Sequence, residues 1–210
     1  VQNIEEFSAR DYGRPEHDSK SGMLPPKLAR IMINLSGAHP KTALLDPFCG
    51  SGTVLIEALS LNYINLYGSD VSPKAVKDSK KNLSWFLESM PSEKKCVQYS
   101  IRLCDARDLS SCFKGVLFDA IISEPYLGKA LNGTESIQYL QTQAQELSNL
   151  YIEAFRSFKK NLKKRATVIF IIPSFKHSSQ KWIKIPCLEY IKKMGFTIVP
   201  FNAGKEPFLS

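Results

Sequence analysis

The octapeptide Asp46-Pro47-Phe48-Cys49-Gly50-Ser51-Gly52-Thr53 lies directly behind the apolar run Ala43-Leu44-Leu45. A carboxylate beside two glycines suits a ligand that carries a cation. The glycines have no Cβ and let the backbone come close, while Asp46 meets the positive group. A second acid, Asp70, ends the run Tyr67-Gly68-Ser69 twenty residues after Gly50. Two further polar points follow apolar runs in the same way: Asp105 after Val97 to Leu103, and Ser123-Glu124-Pro125-Tyr126 after Phe118 to Ile122.

Two nucleotide-binding loops compare poorly with the glycine turn. A P-loop needs Lys-Ser/Thr after its second glycine to reach the phosphates; here Thr53 and Val54 follow Gly52. A dinucleotide loop needs a third glycine, and Leu55 occupies that place. S-adenosylmethionine has no pyrophosphate and instead offers an ammonium, a carboxylate, a sulfonium and a ribose diol. Asp46 suits the ammonium and Asp70 the diol. The competing reading is a pair of ordinary strand-end turns.

The elements that must hold these groups can be read from periodicity and punctuation. Pro25-Pro26 opens a helix with apolar positions Leu28, Ile31, Met32 and Leu35, stopped by Gly37. The first strand is expected at 43–46, its following helix at 52–61, and the second strand ends at Asp70. Ser72 and Pro73 form a cap and a first-turn proline for a helix to Leu87. Val97 to Leu103 and Phe118 to Ile122 read as strands three and four. A long helix carries Leu140, Ala144, Leu147, Tyr151, Ala154, Phe155, Phe158 and Leu162 on one stripe. Thr167 to Ile172 reads as a buried strand, Trp182 to Lys193 as a last helix broken near Pro186, and Phe196 to Pro200 as a sixth strand. Strands alternating with helices predict an α/β fold, a mostly parallel sheet with helices on both faces. Such sheets bind ligands at the carboxyl ends of their strands, where Asp46, Asp70, Asp105 and Ser123-Glu124 all fall.

Composition bounds the rest. The 210 residues fit one domain, and 43% hydrophobic content is ordinary for a globular chain. No apolar run is long enough to span a membrane. Five cysteines form no Cys-x-x-Cys pair and the three histidines are scattered, so no metal site is expected; an odd set of free thiols suits a reducing cytoplasm. Cys49 reads as a packing residue. The net charge of +8 makes a polyanionic partner the expected one. Its pairs and triplets at Lys80-Lys81, Lys94-Lys95, Lys159-Lys160 and Lys163-Lys164-Arg165 read first as solvated helix ends.

Ser123-Glu124-Pro125-Tyr126 resembles the fourth motif of the amino-methylating class I S-adenosylmethionine-dependent methyltransferases, usually Asp/Asn/Ser-Pro-Pro-Tyr/Phe. Together with Arg10-Asp11-Tyr12-Gly13-Arg14-Pro15, Gly22 to Ala29 and Asp46 to Thr53, it looks like the tRNA guanosine-N2 methyltransferases acting at position ten. The resemblance covers most of residues 7–130. It implies a Rossmann-like class I methyltransferase sheet and transfer of a methyl group to the exocyclic N2 of guanosine in tRNA. It also implies that Asp46, Phe48, Gly50, Gly52 and Thr53 line the methionine half of the cofactor, with Pro47, Cys49 and Ser51 also in its binding loop. Asp70 with Val71 would bind the ribose, Asp105-Ala106 would flank the adenine, and Met23-Leu24-Pro25 would close the methionine side. Surface ion pairing by Asp105 and plain core packing by Met23 and Leu24 are the alternatives.

An exocyclic amine is a poor nucleophile because its lone pair is delocalised into the ring. Acceptors against its N–H groups free that lone pair, and by the resemblance the fourth motif supplies them while Tyr126 stacks on the base. This chain departs from the motif at two places: Ser123 stands for an acid and Glu124 for a proline. Either Ser123 Oγ accepts, or Glu124 does from one residue further on; a charged acceptor is the stronger one. DNA or ribosomal RNA amino-methylation is the alternative activity, and a non-catalytic S-adenosylmethionine-binding scaffold the alternative class.

Members of the resembled family carry an RNA-binding module of the THUMP type, which this chain is expected to lack. Residues 1–22 read as a turn-rich linker and 23–210 as the catalytic domain, its last antiparallel strand expected to be missing. Weak tRNA affinity is expected of such a fragment, and the family leaves room for a small activator subunit.

Overall fold

The computed structural model describes residues 4–17, 23–91 and 96–199. Five strands form one all-parallel sheet in the order β3-β2-β1-β4-β5: β1 Ala43–Asp46, β2 Asn65–Asp70, β3 Gln98–Leu103, β4 Phe118–Ser123 and β5 Leu162–Phe170. Chain order reverses beside β1, where the next strand added is β2 on one side and β4 on the other. This is the crevice at which such sheets hold ligands.

The alternation of side chains along buried strands divides the core in two. Leu45 and Ile121 face a cluster containing Tyr151, Phe155 and Phe158 of α6 (Ile137–Asn161). Their neighbours Leu44, Ala120 and Ile122 face the opposite cluster, built with α2 (Pro26–Leu35), α3 (Thr53–Ser60) and α4 (Pro73–Ser89). Helices thus cover both faces, as expected. Ser72 caps α4 through its side chain, accepting from the Ala75 N–H at 3.3 Å, and Pro73 takes the first turn.

Several expectations are corrected. Residues read as turn-rich include α1 (Ile4–Tyr12), whose Phe7 ring lies 4.9 Å from the guanidinium of both Arg10 and Arg30. Tertiary contact stabilises this short polar helix. The buried side of α2 is Ala29, Met32 and Ile33, whereas Leu28 and Ile31 are exposed. Trp182 does not start a helix. Trp182–Lys184 forms β7, antiparallel to β6 (Ser174–Lys176), and α7 begins only at Leu188 and ends at Lys193. Burial alternating along Trp182-Ile183-Lys184-Ile185 is a period of two, which a helix cannot satisfy.

The sixth strand does not form over the described residues 196–199; Phe196 packs on Phe155 at 5.1 Å, and Val199 is 85% exposed. Pro200 lies outside the described residues. Finally, Cys104 and Cys112 are joined by a disulfide, where free thiols were expected. β3 and the short α5 (Leu109–Cys112) bring their Cα atoms to 6.2 Å across a tight 3-10 turn at Ala106–Asp108.

Candidate functional site

Asp46 ends β1 almost fully buried. Its Oδ1 accepts from the Ser123 hydroxyl at 2.6 Å and from the Phe48 N–H at 3.2 Å. Burial pushes its carboxyl up to about 7, against the pull of those two donors and with a small push from Asp70 and Glu124. Asp70 ends β2 and holds the same loop from the other side. One of its oxygens accepts the Gly50 N–H at 3.0 Å and the other the Ser72 N–H at 2.9 Å. The Cys49 N–H donates to the Ser69 carbonyl at 2.9 Å. Cys49 itself is buried, and burial holds its thiol well above the ordinary range, so it is no nucleophile.

Both loop glycines sit in the left-handed region that favours glycine. Gly50 and Gly52 have φ of 50° and 90°, and a Cβ on Gly52 would lie 2.6 Å from Ser79 Oγ. Gly52 is therefore a packing residue at the start of α3. Beside Gly50 a Cβ would meet no protein atom within 4 Å, so that space is open.

Sequence reasoning missed what lies beneath this loop. Arg14 Nη1 donates to Thr53 Oγ1 at 2.7 Å, with Arg14 buried and its guanidinium pKa lowered chiefly by that burial. Arg10 Nε meets Glu57 Oε1 at 2.5 Å and Arg30 Nε meets Oε2 at 3.2 Å, around a fully buried carboxylate on α3. Asn82 donates to the Ser51 carbonyl at 2.9 Å and to the Glu16 carbonyl at 3.0 Å. The signal was present in the Arg10 to Pro15 segment, but nothing local says which partners those arginines reach.

Across the crevice, Glu124 follows β4 half-buried, and burial raises its carboxyl above the ordinary value. Pro125 is buried and Tyr126 is 53% exposed. The Tyr151 hydroxyl donates to the Tyr126 carbonyl at 2.8 Å and so anchors the turn to α6. Asp105 caps the 3-10 turn and is gripped by Arg107, with contacts of 2.9 Å and 2.6 Å to its two oxygens. That ion pair, joined by Glu153 at 3.6 Å, occupies the carboxylate.

These groups share one cleft of about 800 Å³, the size usual for a cofactor or substrate site. From the glycine loop Asp46, Pro47, Phe48, Cys49, Gly50, Ser51 and Thr53 line it, and from the next strands Asp70, Val71, Asp105 and Ala106 do. Met23 and Leu24 close one side, and Glu124, Pro125 and Tyr126 the other. Pro25, Gly52 and Ser123 are not on the wall; Ser123 is fully buried under Asp46. Unforeseen lining residues include the ion-paired Lys74 and Asp78 of α4, Arg107, Leu150 and the loop Leu127 to Ala130.

Comparison with known proteins came to a consistent result. A family model described as UPF0020, RMKL-like, methyltransferase domain matches residues 14–182. The chain is 30% identical over 154 residues to a tRNA (guanine(10)-N2)-dimethyltransferase of Methanothermobacter thermautotrophicus, covering 73% of this chain and 40% of that one. It is 29% identical over 171 residues to the protein of the same description from Pyrococcus abyssi, covering 80% of this chain and 46% of the relative. The chain thus spans less than half the length of these relatives. Among solved structures, a precorrin-6y C5,15-methyltransferase of Geobacter metallireducens superposes with a TM-score of 0.57 at 12% identity, covering 94% of this chain and 80% of that one. At that identity the likeness concerns the fold.

Proposed function

The chain belongs to the UPF0020 family of RMKL-like methyltransferase domains, and from that premise we propose that it methylates the exocyclic N2 of a guanosine in tRNA, with S-adenosylmethionine as methyl donor. The observation that carries the reading is the meeting of the glycine loop, Asp46 and Asp70 with Glu124-Pro125-Tyr126 in one cleft at the sheet's switch point. The descriptions of its relatives support the tRNA substrate. A tRNA substrate goes with a cytoplasmic location, and among the described residues no helix is long and apolar enough to cross a membrane.

The residues fit the donor. The open space beside Gly50 admits it, and both Asp70 oxygens keep lone pairs for a diol after accepting one N–H each. Asp46 would take the ammonium, Phe48, Gly50 and Thr53 would line the methionine portion, and Met23 and Leu24 would cover it. Ala106 would meet the adenine, since the Asp105 carboxylate is held by Arg107. When bound, S-adenosylmethionine supplies an electrophilic methyl group on its sulfonium.

The chain's own contribution is positioning. Ser123 is buried and donates its hydroxyl hydrogen bond to Asp46, so Glu124 is the acceptor offered to the cleft. Its carboxylate accepts an N–H of the target amine, withdraws the nitrogen from conjugation and leaves the lone pair aimed at the methyl group. The anchored Tyr126 presents an exposed ring on which the base stacks. Correct placement of reactants supplies on the order of 7–11 kcal/mol in favourable cases, and no strong base is needed because the proton becomes acidic once the nitrogen is alkylated.

The test is incubation with methyl-labelled S-adenosylmethionine and separate pools of unmodified tRNA, ribosomal RNA and DNA. Label in tRNA is expected. Label in another pool assigns the neighbouring amino-methylating activity, and bound donor with no transfer assigns a scaffold.

A further inference from the structure

We propose that the β6–β7 hairpin is an RNA-docking arm that grips the strand beside the target nucleotide; this rests on the reading of the cleft as an RNA-methylating site. From residue 154 to residue 188 the chain carries nine Lys or Arg and no Asp or Glu. Six of the nine, from Arg156 to Arg165, lie on α6 or at the amino end of β5, away from the cleft. The remaining three, Lys176, Lys181 and Lys184, lie on the hairpin that leaves the carboxyl end of β5, the end at which the cleft opens.

Pairing register sorts the hairpin into two faces. Phe175 and Ile183 are cross-strand partners and both are buried in the core. Their neighbours form two outward pairs, Lys176 opposite Trp182 and Ser174 opposite Lys184. Trp182 is 58% exposed, with the Lys176 ammonium 5.8 Å from its ring centroid. An indole this exposed, among cations and with no acid nearby in sequence, adds little to folding beyond its cross-strand contact with Lys176. It offers a stacking platform and phosphate partners together, the combination that binds single-stranded nucleic acid with little sequence preference.

The hairpin is also joined to the cleft. Phe175 backs onto Gly128, where a Cβ would lie 3.5 Å from the ring and 2.7 Å from Gln143 Oε1. Gln143 in turn accepts the Lys129 N–H at 2.8 Å. Gly128 and Lys129 line the cleft directly after Tyr126. A base held on Tyr126 and its neighbour held on the hairpin would therefore belong to one continuous strand.

The experiment titrates unmodified tRNA into the chain, its Lys176→Gln/Lys181→Gln/Lys184→Gln variant and its Trp182→Phe variant, following binding at several salt concentrations and indole fluorescence. Circular dichroism and S-adenosylmethionine affinity serve as folding controls. Loss of three phosphate contacts should flatten the log K against log salt slope by about 2 and weaken binding about a hundredfold at 0.1 M salt. Fluorescence quenching on binding should disappear with Trp182→Phe, leaving only Trp85. Unchanged affinity and slope in the triple variant, or quenching that survives Trp182→Phe, overturns the proposal. Hairpin-dependent RNA binding without methyl transfer sinks the proposed activity and leaves the arm standing; transfer to tRNA at wild-type affinity in the triple variant does the reverse.

Discussion

At the ends of β1 and β2, Asp46 and Asp70 each accept two hydrogen bonds from the chain, and buried arginines brace the loop between them from below. Beyond the ends of β4 and β5, by contrast, Tyr126 and Trp182 stand more than half exposed, with Glu124 two residues before the one and the Lys176 ammonium over the other. The first wall is finished before any ligand arrives, which suits a small donor of fixed shape. The second is an open rim, suited to a large polyanion whose own backbone completes the site. On the proposed reading, pre-organisation serves the donor and electrostatic attraction the RNA.

The widest separation between the two sides should come from Glu124→Gln. Losing the charged acceptor should cut turnover about 10²- to 10³-fold while calorimetry finds the donor's affinity unchanged. A matching loss of donor affinity would show that the two sides are not separable. Glu57→Ala strikes the bracing instead. Removing one partner of a buried ion pair costs about 3–5 kcal/mol, which should lower the melting temperature by about 10 °C without altering the ratio of turnover to donor binding. Asp70→Ala should weaken donor binding roughly 10- to 100-fold, as expected for charge-assisted hydrogen bonds. It should leave tRNA binding at its original strength, which a filter-binding titration would check.

The smallest effect is a pH dependence. Asp46 ionises only near pH 7 in the folded protein, and a cationic ligand prefers its carboxylate. Donor affinity should therefore fall by up to tenfold per pH unit below about 7 and level off above it. Binding should release a proton at pH 6 and none at pH 8, seen as buffer-dependent heat. For the ligand-free fold the sign is opposite. Its protonated Asp46 adds stability that is full below the ordinary carboxylate pKa and lost as pH rises to about 7, so Asp46→Asn should flatten both profiles.

The same contrast explains what could be read from the sequence. The glycine loop is legible because its constraints are local. A turn with φ of 50° and 90° strongly favours glycine, and a strand-end acid follows its apolar run. The α6 stripe is equally plain, since every position from Leu140 to Phe158 on it is buried. Arg10 and Arg14 stand out as a segment, but their partners Glu57 and Thr53 lie 47 and 39 residues away, beyond any local pattern. Ser123 shows the same limit within one motif. Its type allowed an acceptor role, and only the fold reveals that its hydroxyl is turned down to Asp46. The hairpin is hard to read because helix and strand periods are not easily told apart in short runs, and only its register shows Lys176 and Lys184 on the outward face.

The most direct measurement is nucleoside analysis of tRNA labelled by this chain with methyl-labelled S-adenosylmethionine. The account predicts that the label elutes as guanosine methylated at N2. Label in adenosine, cytidine or another position of guanosine would contradict it.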